Sequence, residues 1–409
     1  MSRVTRASIR SGMSSTAAED SVQEKSKKLL WALMVTYFAH YFTFNLWHTT
    51  FNNFAVEYFS VDGQQIGLIQ SLREIPGFLG FTAGIISVFF SEANIAALST
   101  IILGLGLLAT GISHSFSTLV LSSIFMSVGF HFFYTVNTSM IMMVSDGKNV
   151  AHNMGKFRSI GSLSAILAMG GVFLFIERVG FRNLYFIAGT ISVVFGLYML
   201  SQRSRAGHIP SFRRFVFRKE YWLYYVMSFL EGSKKHVSST FSIFLLVSVF
   251  EISAKHISLI FLITAIITSF THQQLGKIAD RLQERNVLGF YYLFMIAVYL
   301  VMGFASNVWV VIVFFVLSRV VMGLSVALNS YFQKIAPAEE ITSNVSIRTS
   351  IDHVAAIVVP LVGGILWKSV GYHATFLLGV VMVSASFVMS RFIKPQEQMA
   401  FPQKPPSES

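Results

Sequence analysis

A run of about 20 apolar residues is what a helix needs to cross roughly 30 Å of hydrocarbon, and this chain contains twelve such runs in succession. They lie near 29–58, 64–90, 95–112, 116–144, 157–177, 182–201, 221–250, 256–275, 287–305, 308–333, 346–367 and 372–392. Links as short as Val61-Asp62-Gly63 and Ser306-Asn307 join some of them, so successive runs must be antiparallel neighbours. Only 12% of the 409 residues are charged, about half the usual share of a soluble domain. So few charges cannot cover a water-facing surface of this size. The expected fold is an all-α membrane protein of twelve transmembrane helices.

The basic residues set the expected orientation, because Lys and Arg concentrate on the cytoplasmic side of membrane proteins. With the N-terminus inside, the outer links hold only Arg178, Arg182, Lys255 and Lys368, and nearly all other Lys and Arg fall inside. Both termini are therefore expected in the cytoplasm, with a bacterial inner (plasma) membrane as the expected location. The net charge of +12 could mark a nucleic-acid binder. Its distribution in short segments between apolar runs speaks for topology instead, so no nucleic-acid partner is expected. The chain has no cysteine, and so no disulfide or thiolate chemistry. It has neither a G-x-x-x-x-G-K-S/T loop nor an H-E-x-x-H helix. An enzyme is not expected, nor a cofactor, nor a metal.

Displacing the sequence against itself by 191 residues brings Trp31 onto Trp222, Phe38 onto Phe229 and Phe59 onto Phe250. It also brings Ile66-Gly67-Leu68-Ile69 onto Ile257-Ser258-Leu259-Ile260, and Val179-Gly180-Phe181 onto Val370-Gly371-Tyr372. Two pseudo-symmetric six-helix bundles follow. The expected organisation is a disordered tail over 1–28, a bundle over 29–201, a basic central loop over 202–220, a second bundle over 221–392 and a tail over 393–409. Six spans per repeat keeps both halves in the same orientation, so the symmetry axis runs along the membrane normal and a site is expected between the halves near the midplane.

Between the eighth and ninth spans stands Gly276-Lys277-Ile278-Ala279-Asp280-Arg281-Leu282-Gln283-Glu284-Arg285. It resembles the G-x-x-x-D-R-x-x-x-R signature of the major facilitator superfamily. Arg319-Val320-Val321-Met322-Gly323 is similar to that family's R-x-x-x-G element, though here it sits in span ten, and span four has Phe125 at the matching position. Pro360-Leu361-Val362-Gly363-Gly364 resembles the family's endings, while the span-five drug-antiporter motif is absent. The resemblance implies a carrier working by alternating access, with Gly276, Asp280, Arg281 and Arg285 as a latch made in one state and broken in another.

Ionisable residues inside spans are costly and default to function. Glu231, Lys234, Lys235 and His236 lie ten to fifteen residues beyond Tyr221, roughly 15–22 Å at 1.5 Å per residue. At similar depth are Arg73-Glu74 in span two, His131 in span four and Arg319 in span ten. Span one carries His40, which the repeat places on Glu231, and Asn45 in a polar stripe with Tyr41, His48 and Asn52. These residues form the expected solute pathway. Asp352 and His353, expected nearer the cytoplasmic end, are the candidates for a proton relay or gate. Counting Arg73, Lys234, Lys235 and Arg319 against Glu74 and Glu231 leaves two unmatched cations.

The expected function is secondary active transport of a small anionic or zwitterionic solute, with proton coupling at Glu231, Asp352 or a histidine, by a chain acting as a monomer in the lipid bilayer. Two other readings stay open: an exporter of lipophilic drugs or lipids, and a non-transporting sensor or assembly partner. A cavity lined by spans one, four, seven and ten separates transport from the last of these.

Overall fold

The computed structural model describes the backbone over residues 4–82, 86–87, 89–143, 145, 149–202 and 217–394, with side chains from Lys28 onward. Twelve long helices are present among the described residues. They are α1 (Val4–Phe59), α2 (Gly63–Phe78), α3 (Glu92–Gly111), α4 (Phe116–Met143), α5 (Val150–Val179) and α6 (Phe181–Ser201), then α7 (Trp222–Ser248), α8 (Ala254–Arg281), α9 (Glu284–Phe304), α10 (Val308–Ile335), α11 (Ala338–Ser369) and α12 (Tyr372–Ser390). Within α10, Met322–Ser325 tightens to a 3-10 turn, and Leu79–Thr82 extends α2 in the same way. No strand occurs among the described residues. Helix α1 is continuous from Val4, where a disordered tail is expected. Good helix formers such as Ala17, Ala18, Glu19, Gln23 and Glu24, with no Gly or Pro after Gly12, explain the extension. Most of the basic central loop, 203–216, and the last fifteen residues lie outside the described residues.

Ten of the helices are long and apolar enough to span a bilayer on composition alone. The other two are α2 and α7, which carry Arg73-Glu74 and the Glu231–His236 cluster. In α7 apolarity is lost where charge is held inside, whereas α2 is 16 residues long as described. The burial pattern is that of a lipid-solvated protein: Phe270, Trp309, Leu121 and Val381 face outward, while His40, Thr43, Ser127, Lys234 and Ser242 are buried. In water the preference runs the other way.

The 191-residue repeat is visible in the backbone. Four described residues have positive φ: Ser60 (49°), Glu251 (53°), Gly180 (77°) and Gly371 (112°). They form two pairs at that same offset, at the turns ending α1 and α7 and at those ending α5 and α11. The two glycines take this conformation without a Cβ penalty. Ser60 and Glu251 take it against preference, so the turn geometry has been kept in both halves despite unlike residues. Helix packing obeys the same relation. α1 packs on α5 and α6 as α7 does on α11 and α12, and α3 packs on α4 and α6 as α9 does on α10 and α12.

Between the halves, α2 packs on α11 and, by the same symmetry, α8 on α5. The contact is tightest at the end carrying the short loops. There a Cβ at Gly364 would stand 2.8 Å from the Gly63 carbonyl oxygen, and one at Gly67 would meet the Pro360 carbonyl and stand 3.0 Å from Gly364 Cα. Lys368 pairs with Asp62 at 3.1 Å and Lys255 with Glu177 at 2.7 Å. Asn53 Nδ2 donates to the Ile252 carbonyl at 2.8 Å. The Asp62 capping box that starts α2, with Gln65 N to Asp62 Oδ1 at 2.8 Å, fixes this corner. The short-loop end is thus zipped shut by backbone approach and ion pairs on both seams.

Candidate functional site

Below that seal a cavity of about 600 Å³ lies between the halves. It is lined by α1, α4, α7 and α10, as expected, and also by α2 and α11, which supply Gln70, Arg73 and Glu74 on one side and Arg348, Asp352, His353 and Pro360 on the other. Trp47, Phe44, Phe130 and Tyr134 add aromatic faces. Most of the charged side chains on its wall are held by neighbours arriving from another helix or another turn.

On the α2 side, Glu74 is the hub. Its Oε1 faces Arg73 at 3.3 Å, and its Oε2 faces His353 Nδ1 at 3.3 Å and His131 Nε2 at 3.7 Å. Arg73 is buried, donates from Nη1 to Gln70 Oε1 at 2.8 Å, and lies over the Trp47 ring at 4.6 Å. The arrangement joins α2 and α4 of the first half to α11 of the second. On the α7 side, Lys235 reaches Asp352 Oδ2 at 2.7 Å, and His236 Nε2 stands 3.8 Å from Asp352 Oδ1. This is the most open pair in the cavity, with side chains 45% and 27% exposed. Asp352 and His353 are neighbours in sequence but serve opposite walls, and both sit level with the deep charges instead of nearer the termini.

Behind the α7 wall, Lys234 is fully buried and does not line the cavity. Its ammonium bonds Glu231 Oε1 at 2.7 Å and the Tyr291 hydroxyl, and sits 3.8 Å from the centre of the Tyr291 ring. Tyr299 donates to the Lys234 carbonyl at 2.6 Å. Glu231 reaches the cavity, but Lys234 belongs to the packing of α7 on α9. A desolvated ion pair of this kind fixes one arrangement and contributes little net stability.

Several expectations are corrected by this geometry. The surplus of two cations keeps its size but changes its members: Asp352 matches Lys235, while Arg348, one turn from Asp352 on α11, lines the same cavity with Asn329 Oδ1 as its partner. Arg319 is partly buried off the cavity wall, its Nη2 3.5 Å from the Ser238 carbonyl and its guanidinium 5.0 Å over the Phe315 ring. Among the described residues no carboxylate stands within ion-pair reach of it. His40 is likewise off the wall: Nδ1 meets Thr100 Oγ1 at 3.2 Å and the ring stacks on Phe133 at 3.9 Å. Asn45 turns its amide to the Tyr41 carbonyl of its own helix at 2.7 Å. Both side chains thus find their partners inside the first half and not at the cavity.

The latch residues stand apart in this conformation. Asp280 and Arg281 are exposed, and among the described residues no ion pair joins them. Gly276 has open space around its Cα. The neighbour that does engage is Glu284, buried and paired with Lys334 of α10 at 2.6 Å. Arg285 offers its carbonyl to Arg391. Not foreseen were Gln70, Trp47, Asn329 and the seal pairs Asp62–Lys368 and Glu177–Lys255. The seal had one available signal: Lys255 and Lys368 are two of only four basic residues on their side.

A family model described as the Major Facilitator Superfamily matches residues 33–230 and 221–409. No curated protein matches the chain. Among solved structures, the nucleoside transporter NupG is similar at 18% identity and a TM-score of 0.70, with 90% of this chain and 99% of that one covered. A bacterial homologue of the human lysosomal transporter Spinster, inward-facing and occupied, is similar at 14% identity and 0.72, over 88% and 96%. The transporter FucP, in its outward conformation, gives 15% and 0.58 over 90% and 98%. With the family matched across both halves and the twelve-helix architecture in place, the chain belongs to the major facilitator superfamily: a multi-pass membrane protein of the secondary-transport type.

Proposed function

We propose that the chain carries a small zwitterionic organic solute across the membrane by alternating access, and that the structure is its inward-facing state. One observation carries the reading: the half-exposed Lys235–Asp352 pair on the wall of a cavity of about 600 Å³ between the halves. A lone anion at Lys235 would displace the Asp352 carboxylate from its lysine. A solute with its own cation and anion inserts into the pair and leaves both of the pair's charges matched. The narrower choice of zwitterion over anion rests on that exchange.

The seal at the short-loop end supports an inward-facing assignment, given that nearly all Lys and Arg lie at the other end. So does the closer likeness to an inward-facing neighbour than to the outward-facing FucP. The open latch around Asp280 fits as well. Both termini then lie in the cytoplasm. A lipophilic export substrate fits less well, because Arg73, Glu74, Lys235, Asp352 and four histidines sit on the wall. The aromatic faces of Phe44, Trp47 and Phe130 favour a second reading, a neutral solute with a planar ring such as the nucleosides named for NupG.

Counterflow in proteoliposomes discriminates these. A panel of amino acids, betaines, nucleosides and organic anions is exchanged with and without a pH gradient, which also shows whether protons are the coupling ion. The expected result is exchange of a zwitterion that is abolished in Lys235→Ala and in Asp352→Asn. Exchange confined to anions or nucleosides, or wild-type rates in Lys235→Ala, removes the zwitterion assignment.

A further inference from the structure

Glu74, His131 and His353 form a group whose chemistry the Lys235–Asp352 exchange does not use. Their ligand-capable atoms all lie within 4.8 Å of one another. Ligands 2.0–2.1 Å from a tetrahedral zinc ion are themselves roughly 3.3 Å apart. Two edges of that triangle are already near this length, Glu74 Oε2 to His353 Nδ1 at 3.3 Å and to His131 Nε2 at 3.7 Å.

The surroundings are built for the same purpose. Arg73 holds the other carboxylate oxygen, Oε1, so Oε2 is aimed at the two imidazoles. Such a hydrogen-bonded partner behind a ligand orients it and tunes its donor strength. His131 is only 7% exposed, and its Nε2 has no hydrogen-bond partner. An unpartnered buried nitrogen is costly, and a metal ion is a partner that would take its lone pair. Gly77, one turn beyond Glu74 on α2, makes the berth: a Cβ there would stand 2.6 Å from His131 Cε1 and would also collide with His353.

We infer that Glu74, His131 and His353 bind a first-row divalent transition metal ion, with the fourth position open to the cavity. Two imidazoles and one carboxylate suit zinc, cobalt, nickel or copper, and not magnesium or calcium, which prefer all-oxygen sites. The expectation of no metal from sequence is thereby revised. Glu74 and His131 belong to the first half and His353 to the second, so a bound ion would tie the halves together in this conformation. The inference goes beyond the solute reading and does not depend on it.

Co²⁺ serves as the probe, titrated into the purified full-length chain in detergent and followed by its ligand-field absorption. The expected result is uptake of one equivalent with the intense spectrum of four-coordinate Co²⁺, reversed by Zn²⁺. His131→Ala and His353→Ala should each weaken binding by about tenfold or more, the scale of effects seen even for residues one layer out from a metal. His353→Gln keeps a hydrogen-bonding group beside Glu74 yet should lose the metal in the same way, and an unchanged gel-filtration profile shows it is folded. A wild-type spectrum no stronger than aqueous Co²⁺ overturns the site, as do superimposable titrations of wild type and all three variants. Because the readout is binding, its failure leaves the transport reading standing, and a failed counterflow assay leaves the metal site standing.

Discussion

Gly67 is where the seal at the short-loop end is most sensitive to one added carbon. On α2 it faces the Pro360 carbonyl and Gly364 Cα of α11, so a Cβ at Gly67 meets backbone on both counts. Backbone cannot swing away as a side chain can, and the only relief is to part the two helices. Overpacking of this kind costs about 1–3 kcal/mol. In the outward-facing state the helices separate at this end and the methyl costs nothing. Gly67→Ala should therefore shift the equilibrium toward outward-facing by about 5- to 150-fold. The cysteine-free sequence allows spin labels at two introduced cysteines, Arg178→Cys on α5 and His256→Cys on α8, and the distance between them to be measured by pulsed EPR. The expected result is a longer-distance population that grows in Gly67→Ala. An unchanged distribution in a folded variant would falsify the claim that backbone approach at this point holds the seal.

Other expectations follow from the same geometry. Lys234→Ala should lower stability by about 3–5 kcal/mol, since it strands Glu231 inside the bundle. Lys234→Met with Glu231→Leu should recover most of the loss, as read by thermal melts in detergent. Lys235→Ala, at the exposed pair, should melt close to wild type while losing transport, which separates the two adjacent lysines by role. Asp280→Asn should leave solute affinity unchanged and slow turnover, as expected of a latch that is open here and closes in another state. Equal turnover in that variant would reduce the loop to a topological anchor. Exchanging Lys255 and Glu177 as a charge-swapped double variant should restore the closure that either single neutral substitution loosens, measured by the same spin-label pair.

The architecture was legible because lipid imposes length and apolarity on every span, and because the repeat survives at a fixed offset. Ser60 and Glu251 show how far it survives, since unlike residues keep the same unfavourable turn. The site was legible only in part. Depth along a helix can be counted from sequence, and Arg73, Glu74, His131, Glu231, Lys235 and His236 do line the cavity. Rotation about the helix axis cannot be counted as surely, and so His40, Lys234 and Arg319 were placed in the pathway although they face inward to their own bundles. Pairing across helices is harder still. Glu74, His131 and His353 are separated by 57 and 222 residues, and no spacing rule brings them together. Asp352 is expected nearer the membrane surface than it lies, which hides its match to Lys235.

Two-sided access to the cavity is the heart of a transport mechanism, and one cavity-lining position reports it. Ser239 on α7 lines the cavity, and Ser239→Cys provides the sole thiol in the chain. In proteoliposomes of fixed orientation, an impermeant maleimide applied from either face should label it, fast from the cytoplasmic side and more slowly from the other. Labelling from one face only, at any exposure time, would contradict alternating access and leave a chain with this family's fold that moves nothing.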